Sequence, residues 1–319
     1  MKALNKKRQQ RIVIWGIVLV LLLVFSLAVL VAYSRDMQIA DRMIRNRAKI
    51  METPIGTLEY LTYGAGKPIL ISHGAGGGFN QGILIAKILG PGYRFIIPSR
   101  FGYLRSQTGL PVTARLQAEA YAFILKDAGI PRAAVAAISA GGRSALSFAS
   151  HYPGICEELI MISAISAPLV NSQADDLKTA AFAWLFKSDF IYWSVTKLFR
   201  PQVMALFGLT RDDQQRLGAR DKKWLAEFLY TTMPVSRLEK GVLNDQRIAA
   251  PSTREVEAIK APTLILHVKQ DPLISFRNAE YTHRHIPGSQ LIAFERGGHF
   301  LMGHHREIAA KVRAFLYHD

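Results

Sequence analysis

Of the 319 residues, 50% are apolar and 20% are charged, a balance that excludes a disordered chain and allows a large packed core. The single cysteine, Cys156, excludes an intrachain disulfide framework and reads as a small buried side chain. The net charge is +16, and residues 1–50 carry half of it with ten Lys/Arg against two Asp. No zinc-finger spacing or other nucleic-acid motif accompanies this charge, so it points to anionic lipid headgroups and away from nucleic acid.

Residues 1–11 form a basic amino-terminal segment with Lys2, Lys6, Lys7, Arg8 and Arg11. The run from Ile12 to Tyr33 follows, 22 residues without a charge. At helical rise this is roughly 33 Å, enough to cross a hydrocarbon core. Ala32-Tyr33-Ser34 would pass as a cleavage site, but the run exceeds the roughly 7–15 apolar residues of a signal peptide. The expectation is a retained, single-pass transmembrane signal-anchor at 12–33. Five Lys/Arg lie on either side, so the positive-inside count is a tie. The common orientation, amino terminus cytoplasmic and large domain outside, is taken as the expectation. Residues 34–50 read as a basic juxtamembrane connector, or 36–50 as an amphipathic helix lying on the membrane with Met37, Ala40 and Ile44 along one stripe.

After Met51 short apolar strands alternate with helices. Strands are expected at 56–63, 68–72, 93–98, 133–138, 158–163, 263–268 and 290–294, and helices at 81–89, 113–128, 140–150, 275–285 and 304–317. This alternation argues for an α/β fold with a mostly parallel central sheet and helices on both faces. It breaks at 169–250, which holds no strand pattern and many aromatics, among them Trp184, Phe190, Trp193, Trp224 and Phe228. That stretch reads as a helical cap insertion, leaving 51–168 and 251–319 as the core.

The chemistry-bearing stretch is Ala137-Ile138-Ser139-Ala140-Gly141-Gly142, between a strand and a helix. A serine there sits on a tight turn that exposes its hydroxyl, and small residues two before and two after allow strand and helix to approach. A serine needs a base and an orienting acid. His299, after the last strand and behind Gly297-Gly298, is the expected base. Asp271, after the preceding strand and held off a helix by Pro272, is the expected acid. The order Ser, Asp, His excludes the two other well-known triad orders. Ala140 N–H, at a helix start, is one expected oxyanion donor. The other should come from the loop Gly74-Ala75-Gly76-Gly77-Gly78, with Ala75 N–H first and Gly76 second. Glu295, four residues before His299, is expected to be structural or exposed.

His73-Gly74, the Ser139 elbow, Gln270-Asp271-Pro272, Gly298-His299 and the stretch 93–106 together resemble the α/β-hydrolase superfamily, in the branch with a helical cap. With its amino-terminal anchor the chain is also similar to membrane-bound monoacylglycerol lipases of that superfamily. Two positions depart from the pattern: Ala137 stands for a glycine, and Ser99 for an aspartate after the fourth strand. The expectation is a serine hydrolase that cleaves a carboxylic ester with an apolar acyl or alcohol part, possessing no cofactor and no metal. A carbon–carbon bond hydrolase and a catalytically silent tethered binding protein are the alternatives. His283, His285, His304 and His305 read as solvated surface residues. Nothing before Met51 is expected to be needed for the chemistry.

Overall fold

In the computed structural model, residues 2–45, 47–167 and 185–317 are described, with the side chains of 2–9 left aside. Helix α1 runs from Lys2 to Ile44. Its stretch from Gln10 on has a most apolar window of mean hydropathy 3.1, none of it buried, and is long enough to cross a bilayer. The helix does not end with the apolar run. It continues through most of the expected connector, and the Met37, Ala40 and Ile44 stripe faces protein instead of a membrane surface. Ala40 is wholly buried and Ile44 is 5% exposed. Strand β1 (Lys49–Thr53) follows and takes up the connector's last residues.

The sheet has eight strands: β1, β2 (Gly56–Gly64), β3 (Lys67–Ser72), β4 (Tyr93–Pro98), β5 (Ala133–Ile138), β6 (Cys156–Ile162), β7 (Thr263–Val268) and β8 (Gln290–Phe294). Their spatial order is β1-β2-β4-β3-β5-β6-β7-β8. The β1–β2 and β2–β4 pairs are antiparallel and every later pair is parallel. Alternating side chains feed two cores, as the two-residue period of a strand requires. Ile69, Ile71, Ala134, Ala136, Leu264 and Leu266 face one cluster, while Leu70, Val135, Ala137 and Ile265 face the other. The first face is covered by α2 (Phe79–Leu89), α12 (His305–Tyr317) and the end of α1. The second is covered by α3 (Ala114–Asp127), α4 (Gly141–His151), α10 (Thr253–Glu257) and α11 (Arg277–His285).

Between β6 and β7 lie α5 (Asp189–Leu198), α6 (Arg200–Leu206), α7 (Arg211–Arg216), α8 (Ala219–Thr231) and α9 (Glu239–Arg247), with no strand among the described residues there. These helices are the cap; residues 168–184, including Trp184, lie outside the described residues. The end of α1 is bolted to the cap. Asp36, 2% exposed, accepts from Trp193 Nε1 at 3.0 Å and Lys197 Nζ at 2.7 Å, and Asp41 pairs with Arg237 at 3.1 Å. Residues before Met51, which the chemistry is not expected to need, are thus part of the packing. Removing 1–50 would strip Ala40 and Ile44 from two cores and take Lys49 and Ile50 out of β1. Two smaller expectations come out differently from each other. Cys156 is buried, and burial, with Glu158 and Glu157 nearby, pushes its thiol up to about 12. His305 is not a surface residue: it is 5% exposed and its Nε2 donates to Phe300 O at 2.9 Å.

Candidate active site

Ser139 follows β5 with φ of 53°, in the left-handed region that a non-glycine residue rarely adopts. Its backbone is pinned on both sides: Ser139 N donates to Ile162 O at 3.3 Å, and Ser139 O accepts from Gly142 N and Ile165 N. The small-residue rule has a concrete cause here. A Cβ on Gly141 would lie 2.3 Å from Ser72 O, so only glycine fits two residues after the serine. The residue is half-buried, and its hydroxyl makes no hydrogen bond to the described residues.

Asp271 and His299 meet. Asp271 Oδ2 lies 2.7 Å from His299 Nδ1, and Oδ1 accepts from Leu273 N at 2.9 Å and Ile274 N at 3.0 Å. An ionised carboxylate only accepts, so Nδ1 carries the proton and Nε2 is left free to take one. Burial alone would raise the Asp271 pKa; the His299 charge and bond and the two backbone N–H groups overcome it and leave the carboxyl below its ordinary 3.8. His299 is placed from the cap side, where its N–H donates to Phe207 O at 2.8 Å. Gly298, with φ of 61°, permits this, since a Cβ there would sit 2.3 Å from the same oxygen. Glu295 points elsewhere, 70% exposed and paired with Lys269.

The glycine-rich loop lies against the serine: a Cβ on Gly74 would approach Ser139 Cβ to 3.2 Å. Within it Gly74 N is taken by Gln81 Oε1 at 2.8 Å, and Gly76 N donates to Tyr103 OH at 3.3 Å. Ala75 N–H and Ala140 N–H have no partner among the described residues. Of the two expected loop donors, Gly76 is thus engaged and Ala75 is free. His73 anchors the loop, with Nδ1 donating to Gly74 O at 2.7 Å and Nε2 accepting from Arg100 N at 2.9 Å. Burial, together with the Arg100 charge, keeps it neutral, well below its ordinary pKa.

Three features escaped sequence reading. His267, one residue before the end of β7, donates from Nε2 to Ile274 O at 2.8 Å and so fixes the far side of the Asp271 loop; a histidine inside the apolar run TLILHV was the available signal. Asp245 of α9 accepts from both terminal nitrogens of Arg100 and, at 2.5 Å, from Tyr103 OH, while its backbone oxygen accepts from Arg143 at 2.7 Å. Arg100 is 1% exposed, and its Nη2 also reaches Gly74 O at 3.1 Å, so this buried cluster ties cap to glycine-rich loop. Glu59 of β2 supplies the carboxylate that Ser99 lacks: it accepts from Ser99 Oγ at 2.8 Å and from Arg105 Nε. Among the described residues no group of three or more His, Cys, Asp or Glu is gathered as a metal site would need. Two open concavities of about 520 and 630 Å³ lie elsewhere, one near Tyr93 and Trp224, the other under α3.

A family model described as the alpha/beta hydrolase fold matches residues 67–305, from β3 to the start of α12. The chain belongs to the alpha/beta hydrolase family. Among relatives, the uncharacterized hydrolase YcgS of Bacillus subtilis is 27% identical over 281 residues, covering 81% of this chain and 93% of that one. The 2-hydroxy-6-oxo-6-phenylhexa-2,4-dienoate hydrolase of Burkholderia cepacia is 24% identical over 255 residues, 76% of this chain and 85% of its own. Among solved structures, a thermophilic esterase from Thermogutta terrifontis superposes with a TM-score of 0.66 at 19% identity, covering 85% and 98% of the two chains, a likeness of fold alone. In this alpha/beta hydrolase Ser139, Asp271 and His299 each follow a parallel strand, β5, β7 and β8, at the carboxyl edge of the sheet.

Proposed function

We propose that this alpha/beta hydrolase is a membrane-anchored serine hydrolase, cleaving carboxylic esters with an apolar acyl or alcohol group. The observation that carries the reading is a serine held in a left-handed elbow after β5, on the sheet edge where His299 is already bonded to Asp271. Ser139 Oγ attacks the ester carbonyl while His299 Nε2 takes its proton, and Asp271 steadies the imidazolium that forms. Negative charge developing on the carbonyl oxygen falls to Ala140 N–H and Ala75 N–H, neither of which has a partner among the described residues. The alcohol leaves with the proton from His299. Water, activated by the same Nε2, then attacks the acyl-enzyme and restores the serine. No step calls for a cofactor or a metal. The apolar run of α1 is read as the single span, with the amino terminus cytoplasmic and the catalytic domain outside.

A fluorophosphonate probe tests the nucleophile. Labelling of the wild type that vanishes in Ser139→Ala supports the reading, and a folded wild type that takes no label refutes it. The second reading, hydrolysis of a carbon–carbon bond, draws on the Burkholderia relative, whose name describes a dienoate substrate. A panel of esters of increasing acyl length beside such a dienoate separates the two.

A further inference from the structure

The last turns of α1 fix where a bilayer would meet the cap. Tyr33 packs edge-on against Phe190 and Trp193, with ring centroids 5.4 and 5.5 Å apart. One turn further along, Asp36 holds Lys197. Phe190 and Lys197 are seven positions apart, about 10 Å along α5, and Tyr33 and Asp36 are about 4.5 Å apart along α1. Helix α5, the first described helix of the cap, therefore lies against the end of the charge-free run and the turn that follows it. The contact also climbs past Tyr33, because Val29 and Ala32 pack against the same cap cluster. Both belong to the charge-free run, which at roughly 33 Å barely exceeds a hydrocarbon core of about 30 Å. The top of the cap thus sits at the depth where hydrocarbon gives way to headgroups.

What the cap shows at that depth is apolar. Phe190 is 44% exposed, Ile191 38%, Leu198 73%, Phe199 51% and Leu206 66%. Ile191 and Leu198 are two helical turns apart and share one face of α5. Four of the five lie on α5 and α6 and Phe199 joins the two helices, so the exposed apolar side chains are concentrated on this part of the cap. Along the stretch from Leu185 to Thr210 the exposed charges are of one sign. Between Leu185 and Thr210 the only carboxylate is Asp189, whose two oxygens are taken by Ser236, while Lys187 and Arg200 are exposed. We propose that the α5–α6 face of the cap is a bilayer-docking surface: its five apolar side chains enter the leaflet that α1 leaves, and Lys187 and Arg200 meet anionic headgroups. The inference rests on reading α1 as a span. It also names a substrate class, esters resident in that leaflet. Leu206 is followed directly by Phe207, whose oxygen holds His299 N–H, so the lipid-facing surface adjoins in sequence the backbone that positions the candidate base.

The test uses the full chain in vesicles of phosphatidylcholine with and without phosphatidylglycerol. An environment-sensitive fluorophore is placed at Leu198→Cys in a Cys156→Ala background, with Lys126→Cys on α3, across the sheet, as control. In protein that stays with carbonate-washed vesicles, the Leu198 label should be blue-shifted and quenched by lipid brominated near the headgroup, more so with phosphatidylglycerol, and the control label should not. Retained protein with both labels equally in water overturns the docking surface and leaves the span standing. Protein stripped by carbonate overturns both. Leu198→Asp with Phe199→Asp should keep its rate on a soluble short-chain ester and lose about tenfold or more on an ester embedded in the vesicles, the factor expected from forfeiting even one buried large apolar side chain. An unchanged ratio of the two rates also overturns the proposal.

Discussion

Replacing Asp245 by alanine should destabilise the protein far more than its distance from Ser139 would indicate. Asp245 is 8% exposed and Arg100 1%, and the two share a two-pronged ion pair that Tyr103 joins. With the carboxylate gone, the guanidinium of Arg100 stays buried with only the backbone oxygen of Gly74 and the face of the Tyr103 ring as partners among the described residues, and Arg143 adds a second buried cation close by. Breaking a buried pair from one side costs about 3–5 kcal/mol, because the remaining charge is uncompensated. At about 2–4 °C per kcal/mol for a chain of this size, Tm should fall by about 6–20 °C. Thermal and urea unfolding of wild type and Asp245→Ala, in the same detergent, measure this. A double replacement, Arg100→Met with Asp245→Leu, should lie closer to wild type than Asp245→Ala does, since no lone charge is left inside. A Tm drop below about 2 °C, or a double variant worse than the sum of the singles, would refute the reasoning.

Ser139→Ala and His299→Ala should each abolish nearly all ester turnover with the fold intact, Asp271→Asn should be somewhat milder, and Glu295→Gln should stay near wild type; steady-state rates on one soluble ester decide, and wild-type kcat in Asp271→Asn would mean the acid is misassigned. Burial lowers the pKa of His73, His267 and His305, so below their ordinary 6.5 the unfolded chain takes up protons that the folded chain does not. Stability should therefore be complete above 6.5 and fall with pH below it, by up to about 4 kcal/mol per pH unit for three such groups; a flat Tm between pH 7 and 5 would contradict this. Deleting 1–28 should leave hydrolysis of a soluble ester nearly unchanged, whereas deleting 1–50, which removes Asp36, Ala40, Ile44 and two of the five residue pairs of β1 with β2, should give an unstable protein; circular-dichroism melts and the same ester assay compare the two.

The parallel strands were legible because they are mostly apolar runs flanked by Gly or Pro, and the candidate triad because Ser139 directly follows one such run while Asp271 and His299 stand within a few residues of the ends of two others. Strand β1 was not: Lys49-Ile50-Met51-Glu52-Thr53 is an exposed edge strand with charges at both ends, and it pairs only through β2. The helical stripe Met37, Ala40, Ile44 was visible, but periodicity records a buried face without recording what buries it. Here it is Trp193 and Lys197, more than 150 positions away, that turn Asp36 from a solvated charge into a buried one. The same holds for Asp245, which reads as one more surface carboxylate of a polar helix until Arg100 and Tyr103 are brought under it. His305 looked solvated beside His304; its ring is covered by Trp224 of the cap, which sequence spacing does not place there.

Only four residues separate the end of α1 at Ile44 from the first residue of β1 at Lys49, and α1 is docked before it gets there. Such a join is a bracket, not a leash. A domain on a long flexible linker sweeps a volume above its membrane and meets dissolved molecules from every direction. A bracketed one sweeps nothing: in a bilayer crossed by α1 it would keep one heading, and every copy in the same leaflet would present the same side downward. Its encounters would then scale with how many target molecules share each patch of membrane area, and diluting the surrounding solution would leave that number untouched.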